Sequence, residues 1–204
     1  MKKTELVIRD ILYNVIEKKN RTMTQLGIAN ALNISLSTVN LALAPLKAMG
    51  AVTVKLKNFV VVDTRKILFY WASIRKLEKD IIYQTRADMP VKNIESLMPS
   101  PVIFGAYSAY KFKFKDVPAD YSEMYVYVSE EEISEIKNRF PPSKNPPNLF
   151  VLKKDLMMNN YAQKNLRITT EAQIFVDLWN LKEWYAKEFL KALEERLKKD
   201  KTFE

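Results

Sequence analysis

The sequence predicts an α+β fold: an N-terminal helix–turn–helix with a hairpin, a long linking helix and a small C-terminal α/β domain. Three observations predict it. Apolar residues at helical spacing give way at Gly50 to a β-branched run, AVTVKLKNFVVV. A helical pattern then resumes over residues 64–86 without a turn signal. Beyond Asp88-Met89-Pro90, short aromatic and β-branched strands alternate with short helices. The 204 residues suffice for two domains that each bury a core, with expected boundaries at 1–63, 64–88 and 89–204.

The first helix is expected over residues 4–20, burying Val7, Ile8, Ile11, Leu12, Val15 and Ile16. Lys18-Lys19-Asn20-Arg21 closes it with cations that suit either the carbonyl end of a helix or a passing phosphate backbone. Thr24 can cap a second helix that buries Leu26, Ala29 and Leu32. Asn33-Ile34-Ser35 turns the chain, and Ser35 caps a third helix with Val39, Leu43 and Leu46 inward. Gly50 ends it cheaply in the left-handed region. The β-branched run folds back near Lys57-Asn58, giving two strands with a basic tip.

Helix, turn, helix, glycine and hairpin in this order resemble the winged-helix DNA-binding domain of prokaryotic transcriptional regulators, over residues 4–62. The resemblance implies double-stranded DNA as partner. Base edges would be met by Ser37, Thr38, Asn40 and Leu41. Phosphates would be held by Lys18, Lys19, Arg21, Ser35, Lys47, Lys55, Lys57 and Asn58. The inward phase of Val39, Leu43 and Leu46 turns Ser37, Leu41, Ala44 and Ala48 outward. That face offers no Arg, Gln or Lys for bidentate base contacts, only Leu41 and Ala44 for thymine methyls.

Charge is distributed to match. Residues 1–62 hold nine Lys/Arg against three acids, a net +6, and the remaining 142 residues net only +3. A solvated surface without function would give the same count less often than a phosphate-binding one.

Asp63 can cap the long helix, TRKILFYWASIRKLEKDIIYQTR. Its 23 residues would span about 35 Å, and its stripe of Ile67, Trp71, Ile74, Leu77 and Ile81 needs a partner. A homodimer interface centred on Ile67, Trp71 and Ile74 is one expectation, and a place in the chain's own core is the alternative.

In the second domain, VKNIESLMP reads as a helix, residues 99–104 as a strand and residues 108–112 as a small helix. EMYVYV and LFVLKK read as strands, with LRIT a further short one. Ser129 with Glu132 forms a capping box for EEISEIKNRF, and FPPSKNPPN is a stiff loop. Thr170 with Gln173 caps the buried helix EAQIFVDLWN. Asn180 with Glu183 caps a last helix whose stripe includes Trp184, Tyr185, Phe189, Leu193 and Leu197. This order resembles the nucleotidyltransferase-like fold, and the closing TTEAQIFVDLWNLKEWYAKEFLKALEERL resembles the end of abortive-infection antitoxins. Active members of that fold carry Gly followed by Gly or Ser, then a strand with two carboxylates one residue apart, which hold magnesium. Here Gly105 precedes Ala106, and Glu123 is followed two residues on by Tyr125, so the metal dyad is absent.

Other catalytic constellations fail on composition. The chain has no Cys and no His, and its three glycines, Gly27, Gly50 and Gly105, cannot form a glycine-rich phosphate loop. Asp177, alone in an apolar helix, fits a satisfied structural carboxylate better than a site, and Glu130, Glu131 and Glu132 fit helix-start electrostatics. No apolar run reaches membrane-spanning length, and MKKTELVIRD lacks the apolar core of a signal peptide, so a cytoplasmic location is expected. The expectation is a dimeric, sequence-specific DNA-binding transcriptional regulator without cofactor, metal or catalytic activity. Its C-terminal domain would serve as a sensor or interaction platform. The alternative is an antitoxin or protein-interaction module, with a toxin as partner and autoregulatory DNA binding.

Overall fold

A computed structural model describes residues 1–161, 167–200 and 203 of the chain. Among these residues the fold is α+β, with ten α-helices and two small sheets. It divides into one unit of Met1–Arg75 with Lys191–Glu204, and another of Lys76–Leu190.

In the first unit, helix α1 (Lys3–Ile16) buries the expected Val7, Ile8, Ile11, Leu12, Val15 and Ile16. It stops four residues earlier than expected. The chain leaves it through Lys19, whose φ of 55° breaks the helix, and enters strand β1 (Thr22–Met23), too short to show alternation in sequence. Helix α2 (Gln25–Leu32) is capped as expected, with Thr24 Oγ1 accepting from Gly27 N at 2.9 Å. A Cβ on Gly27 would stand 2.8 Å from that oxygen, so a side chain there would make the Thr24 hydroxyl shift. Leu26 departs from expectation and is 61% exposed. The buried face centres on Ile28, and two residues away lies about 200° around the helix.

Asn33 turns the chain at φ 51°, and Ser35 caps α3 (Leu36–Ala48) through Thr38 N. Val39, Leu43 and Leu46 point inward as expected, joined by Ala42. Gly50 sits at φ 72°, and strands β2 (Val52–Val54) and β3 (Phe59–Val61) form the hairpin. Strand β1 pairs with β3, completing a three-stranded antiparallel sheet in the order β1-β3-β2.

The single helix expected over 64–86 is corrected. Helix α4 (Thr64–Ile74), capped by Asp63 on Lys66 N, ends where Arg75 turns extended at ψ 135°. A 3-10 turn (Leu77–Asp80) follows, then strand β4 (Ile81–Thr85). The sequence IIYQT suits either element, and pairing with a strand distant in sequence decides for β. The linker helix of 64–88 therefore dissolves, α4 joining the first unit and β4 the second.

The dimer stripe is corrected with it. Ile67 and Trp71 are 0% exposed, and only Ile74, at 37%, reaches the surface. Trp71 Nε1 donates to Glu5 Oε2 at 3.2 Å, and Arg75 pairs with the same oxygen at 3.7 Å. Helix α4 thus uses its apolar stripe to pack on α1.

The second unit is built on a four-stranded sheet ordered β4-β7-β6-β5. Its further elements are α5 (Val91–Ser96), β5 (Ile103–Phe104), α6 (Ala106–Phe114), β6 (Met124–Val128), α7 (Ile133–Arg139), β7 (Leu149–Lys153), α8 (Met158–Tyr161), α9 (Glu171–Trp179) and the start of α10 (Trp184–Lys199), whose residues from Lys191 onward belong to the first unit. Strands β6 and β7 are parallel, and the outer pairs are antiparallel. Met124, Val126, Val128, Leu149 and Val151 bury one face against Ile94, Ile136 and Phe140. The opposite face carries Tyr125, Tyr127 and Phe150.

Four local expectations change. The strand expected over 99–104 is only Ile103–Phe104. Half of the capping box forms, Ser129 N donating to Glu132 Oε2 at 2.8 Å, and the helix begins later, at Ile133. Of LRIT, Leu166 lies outside the described residues and Ile168 makes an isolated parallel bridge with Phe104. Trp184, expected in the apolar stripe of α10, is 66% exposed, whereas Tyr185, Phe189, Leu193 and Leu197 are buried.

Because Trp71 is core, Trp71→Ala should cost about 3–5 kcal/mol in chemical denaturation, with no change of oligomeric state beforehand. Light scattering of the folded variant checks the second half. Dissociation of a wild-type dimer by this substitution, without loss of stability, would return the stripe to an interface.

Candidate functional site

In the first unit, burial of one side of α3 leaves Ser37, Asn40, Leu41, Ala44, Lys47 and Ala48 exposed, with Thr38 half-buried. The expected base-facing residues therefore do share the solvent side of one helix. At its start three hydroxyls cluster, Ser35 Oγ standing 2.9 Å from Ser37 Oγ and 2.8 Å from Thr38 Oγ1. The same Ser35 oxygen accepts from Thr38 N, so this residue works first as a cap.

The expected phosphate contacts divide. Lys47, Lys55 and Lys57 are exposed, the last two on the hairpin turn closed by Lys55 N donating to Asn58 O at 2.7 Å. Lys18 is exposed and lies over the Tyr13 ring at 4.9 Å. It also borders a groove of about 320 Å³ that contains Thr24 and Gly27 at the start of α2. Lys19 is drawn to Asp200 at 3.9 Å, and Arg21 donates to Val61 O at 3.4 Å from a half-buried position. Asn58 is half-buried at the hairpin turn. Its Oδ1 is enclosed and has no hydrogen-bond partner among the described residues, so that atom faces the protein rather than solvent. Four cations, Lys18, Lys47, Lys55 and Lys57, remain well placed for an anionic partner.

In the second unit, Gly105 lies where a Cβ would meet the Tyr127 ring at 3.0 Å. Tyr127 donates to Asp177 Oδ2 at 2.8 Å, a structural contact for one of the two carboxylate oxygens. Glu123 and Tyr125 lie two residues apart at the start of β6. Here the Tyr125 hydroxyl donates to Glu123 Oε2 at 2.9 Å, and the Tyr125 ring stacks on Phe150 at 4.7 Å and 7°. Burial pushes the Glu123 carboxyl above its ordinary range; the Tyr125 hydrogen bond pulls it back and the nearby Glu183 carboxylate adds to the rise. Burial also raises the Tyr107 and Tyr125 hydroxyls, which therefore stay protonated. Among the described residues, no three His, Cys, Asp or Glu side chains gather to hold a metal ion.

Glu123, Tyr125 and Phe150 border a cavity of about 590 Å³ that also reaches the 3-10 turn, β4 and the α9–α10 connection. Sequence reasoning missed Phe150, Lys182 and Glu183 here, because nothing local to them signals a shared site. No helix among the described residues is long and apolar enough to cross a membrane. No protein-family model matches the chain, and no curated protein does either.

The Glu123 shift has a stability consequence. A carboxyl whose folded value is raised binds its proton more tightly when folded, so its favourable contribution is present at acid pH and lost as pH rises through the folded value. Glu123→Gln, which keeps an acceptor for Tyr125, should raise the melting temperature slightly at about pH 7.5 and leave it unchanged at about pH 4. A thermal scan at both values checks this; a lower melting temperature at the higher pH would contradict it.

Proposed function

We propose that the chain is a DNA-binding transcriptional regulator whose first unit is a winged helix-turn-helix, with α3 as the groove-facing helix and the β2–β3 hairpin as the wing. The carrying observation is the exposed side of α3, which continues through Gly50 into a hairpin tipped by Lys55 and Lys57. A helix can enter the major groove only with one side unburied, and phosphate affinity needs cations flanking it. Discrimination between sequences is modest, because the outward side chains are hydroxyls, Asn40, Leu41 and alanines.

The second unit serves as a non-catalytic sensor or interaction platform. Tyr125 in place of a carboxylate removes the metal dyad that phosphoryl transfer in this fold requires. A toxin-partnered antitoxin is the second reading, favoured by Leu26, Leu36, Leu41 and Leu56, which are 61, 45, 67 and 99% exposed. Such a display of leucines suits a protein partner better than solvent.

Fluorescence anisotropy with a labelled duplex tests the DNA role. Four lysines on phosphates should give log affinity against log salt a slope of about −4, and Lys55→Ala with Lys57→Ala should flatten it by about two. Affinity independent of salt would reject DNA binding and favour the protein partner.

A further inference from the structure

The cavity of the second unit has a chemistry opposite to that of a nucleotide site. Its volume, about 590 Å³, falls in the range that encloses a small ligand or a side chain. One wall is aromatic. Gln84, Phe150 and Tyr125 are in register across β4, β7 and β6, so their side chains rise from the same sheet face. Phe150 is only half-buried, leaving ring surface beside the cavity.

The other wall is acidic. Four ionisable carboxylate or ammonium groups border the space: Glu78, Glu123, Lys182 and Glu183. Lys182 and Glu78 pair with each other at 3.1 Å. Glu123 and Glu183 are left with no cationic partner among the described residues, and Glu123 receives only the neutral Tyr125 hydroxyl. A triphosphate entering here would meet two uncompensated carboxylates and no glycine-rich loop. A cation would meet two acceptors and an aromatic face.

We propose that this cavity binds an organic cation with a planar head, a guanidinium, held by Glu123 and Glu183 and stacked beside Phe150. Guanidinium suits the site better than ammonium because it is planar, sheds water more readily and bonds carboxylates while lying on a ring. Its charge would also offset the burial and the nearby Glu183 carboxylate that together raise the Glu123 carboxyl. The guanidinium comes either from a small amine or from an arginine side chain of a partner protein. This inference deepens the sensor role of the second unit. Binding is measured without DNA, so failure here leaves the duplex prediction standing, and failure of duplex binding leaves this one standing.

The experiment is calorimetric titration of the full chain with agmatine, with acetyl-Gly-Arg-Gly-amide, with the same peptide carrying citrulline, and with magnesium ATP. The arginine peptide or agmatine should bind, the neutral citrulline peptide about tenfold more weakly or not at all, and ATP not at all. Comparable binding of agmatine and arginine peptide identifies a free amine as sufficient; binding of the peptide alone identifies a partner's side chain. Glu183→Gln lies at an exposed position and should fold normally while weakening the guanidinium about tenfold, with Glu123→Gln adding to the loss. Three results would overturn the proposal: no heat from either guanidinium probe at millimolar concentration, equal binding of the citrulline peptide, or unchanged affinity in the double variant. Saturable ATP binding in place of the guanidinium would return the cavity to nucleotide chemistry.

Discussion

Everything in the first unit depends on the burial of α1. Its apolar residues are nearly inaccessible, and α2, α3 and α4 all pack on that one helix. Each neighbour must turn its own apolar side toward α1, so the orientation of its remaining side is settled by exclusion. For α3 this exposes Ser37, Asn40, Leu41 and Lys47; for α4 it encloses Ile67 and Trp71. The buried Glu5 reinforces the arrangement. Its carboxylate accepts from Trp71 and pairs with Arg75, tying the start of α1 to the end of α4. Removing one member of such a group strands the others without water, so it acts as a clamp more than as a source of net stability.

The proposed function follows from what that burial leaves over. An outer face of hydroxyls, alanines and Leu41 would supply little base discrimination, whereas lysines on the hairpin would supply affinity to any duplex. A regulator of this kind needs a second source of specificity. With Ile67 and Trp71 enclosed, the stripe of α4 does not provide it, and the exposed leucines and the second unit become the places where a partner or ligand would act.

In the second unit, the pairing of Glu123 with Tyr125 sets the chemistry. Two carboxylates on adjacent outward positions of a strand would repel each other and hold a divalent ion. Tyr125 gives Glu123 a hydrogen bond and stacks on Phe150, so the strand presents an aromatic wall beside the Glu123 carboxyl. Asp177, the other buried acid near this sheet face, is engaged by Tyr127.

Signals that act within one turn were legible in the sequence. Thr24, Ser35, Asp63 and Thr170 cap the helices they were expected to cap, and Gly50 takes the left-handed conformation. The outward face of α3 was legible for the same reason, since helical phase follows from three apolar residues. Long-range pairing was not. Residues 81–85 looked helical because their strand partner, Leu149–Lys153, lies far along the chain. The cavity was invisible because Tyr125, Phe150 and Glu183 meet only when β6 and β7 align and the α9–α10 connection passes nearby. The most direct test of the central claim is an amide NMR titration of the full chain with a duplex at low salt. Shifts concentrated in residues 35–47 and 55–58, with the amides around Glu123 and Tyr125 unmoved, are the expected result. Shifts confined to the second unit, with α3 and the hairpin silent, would contradict it.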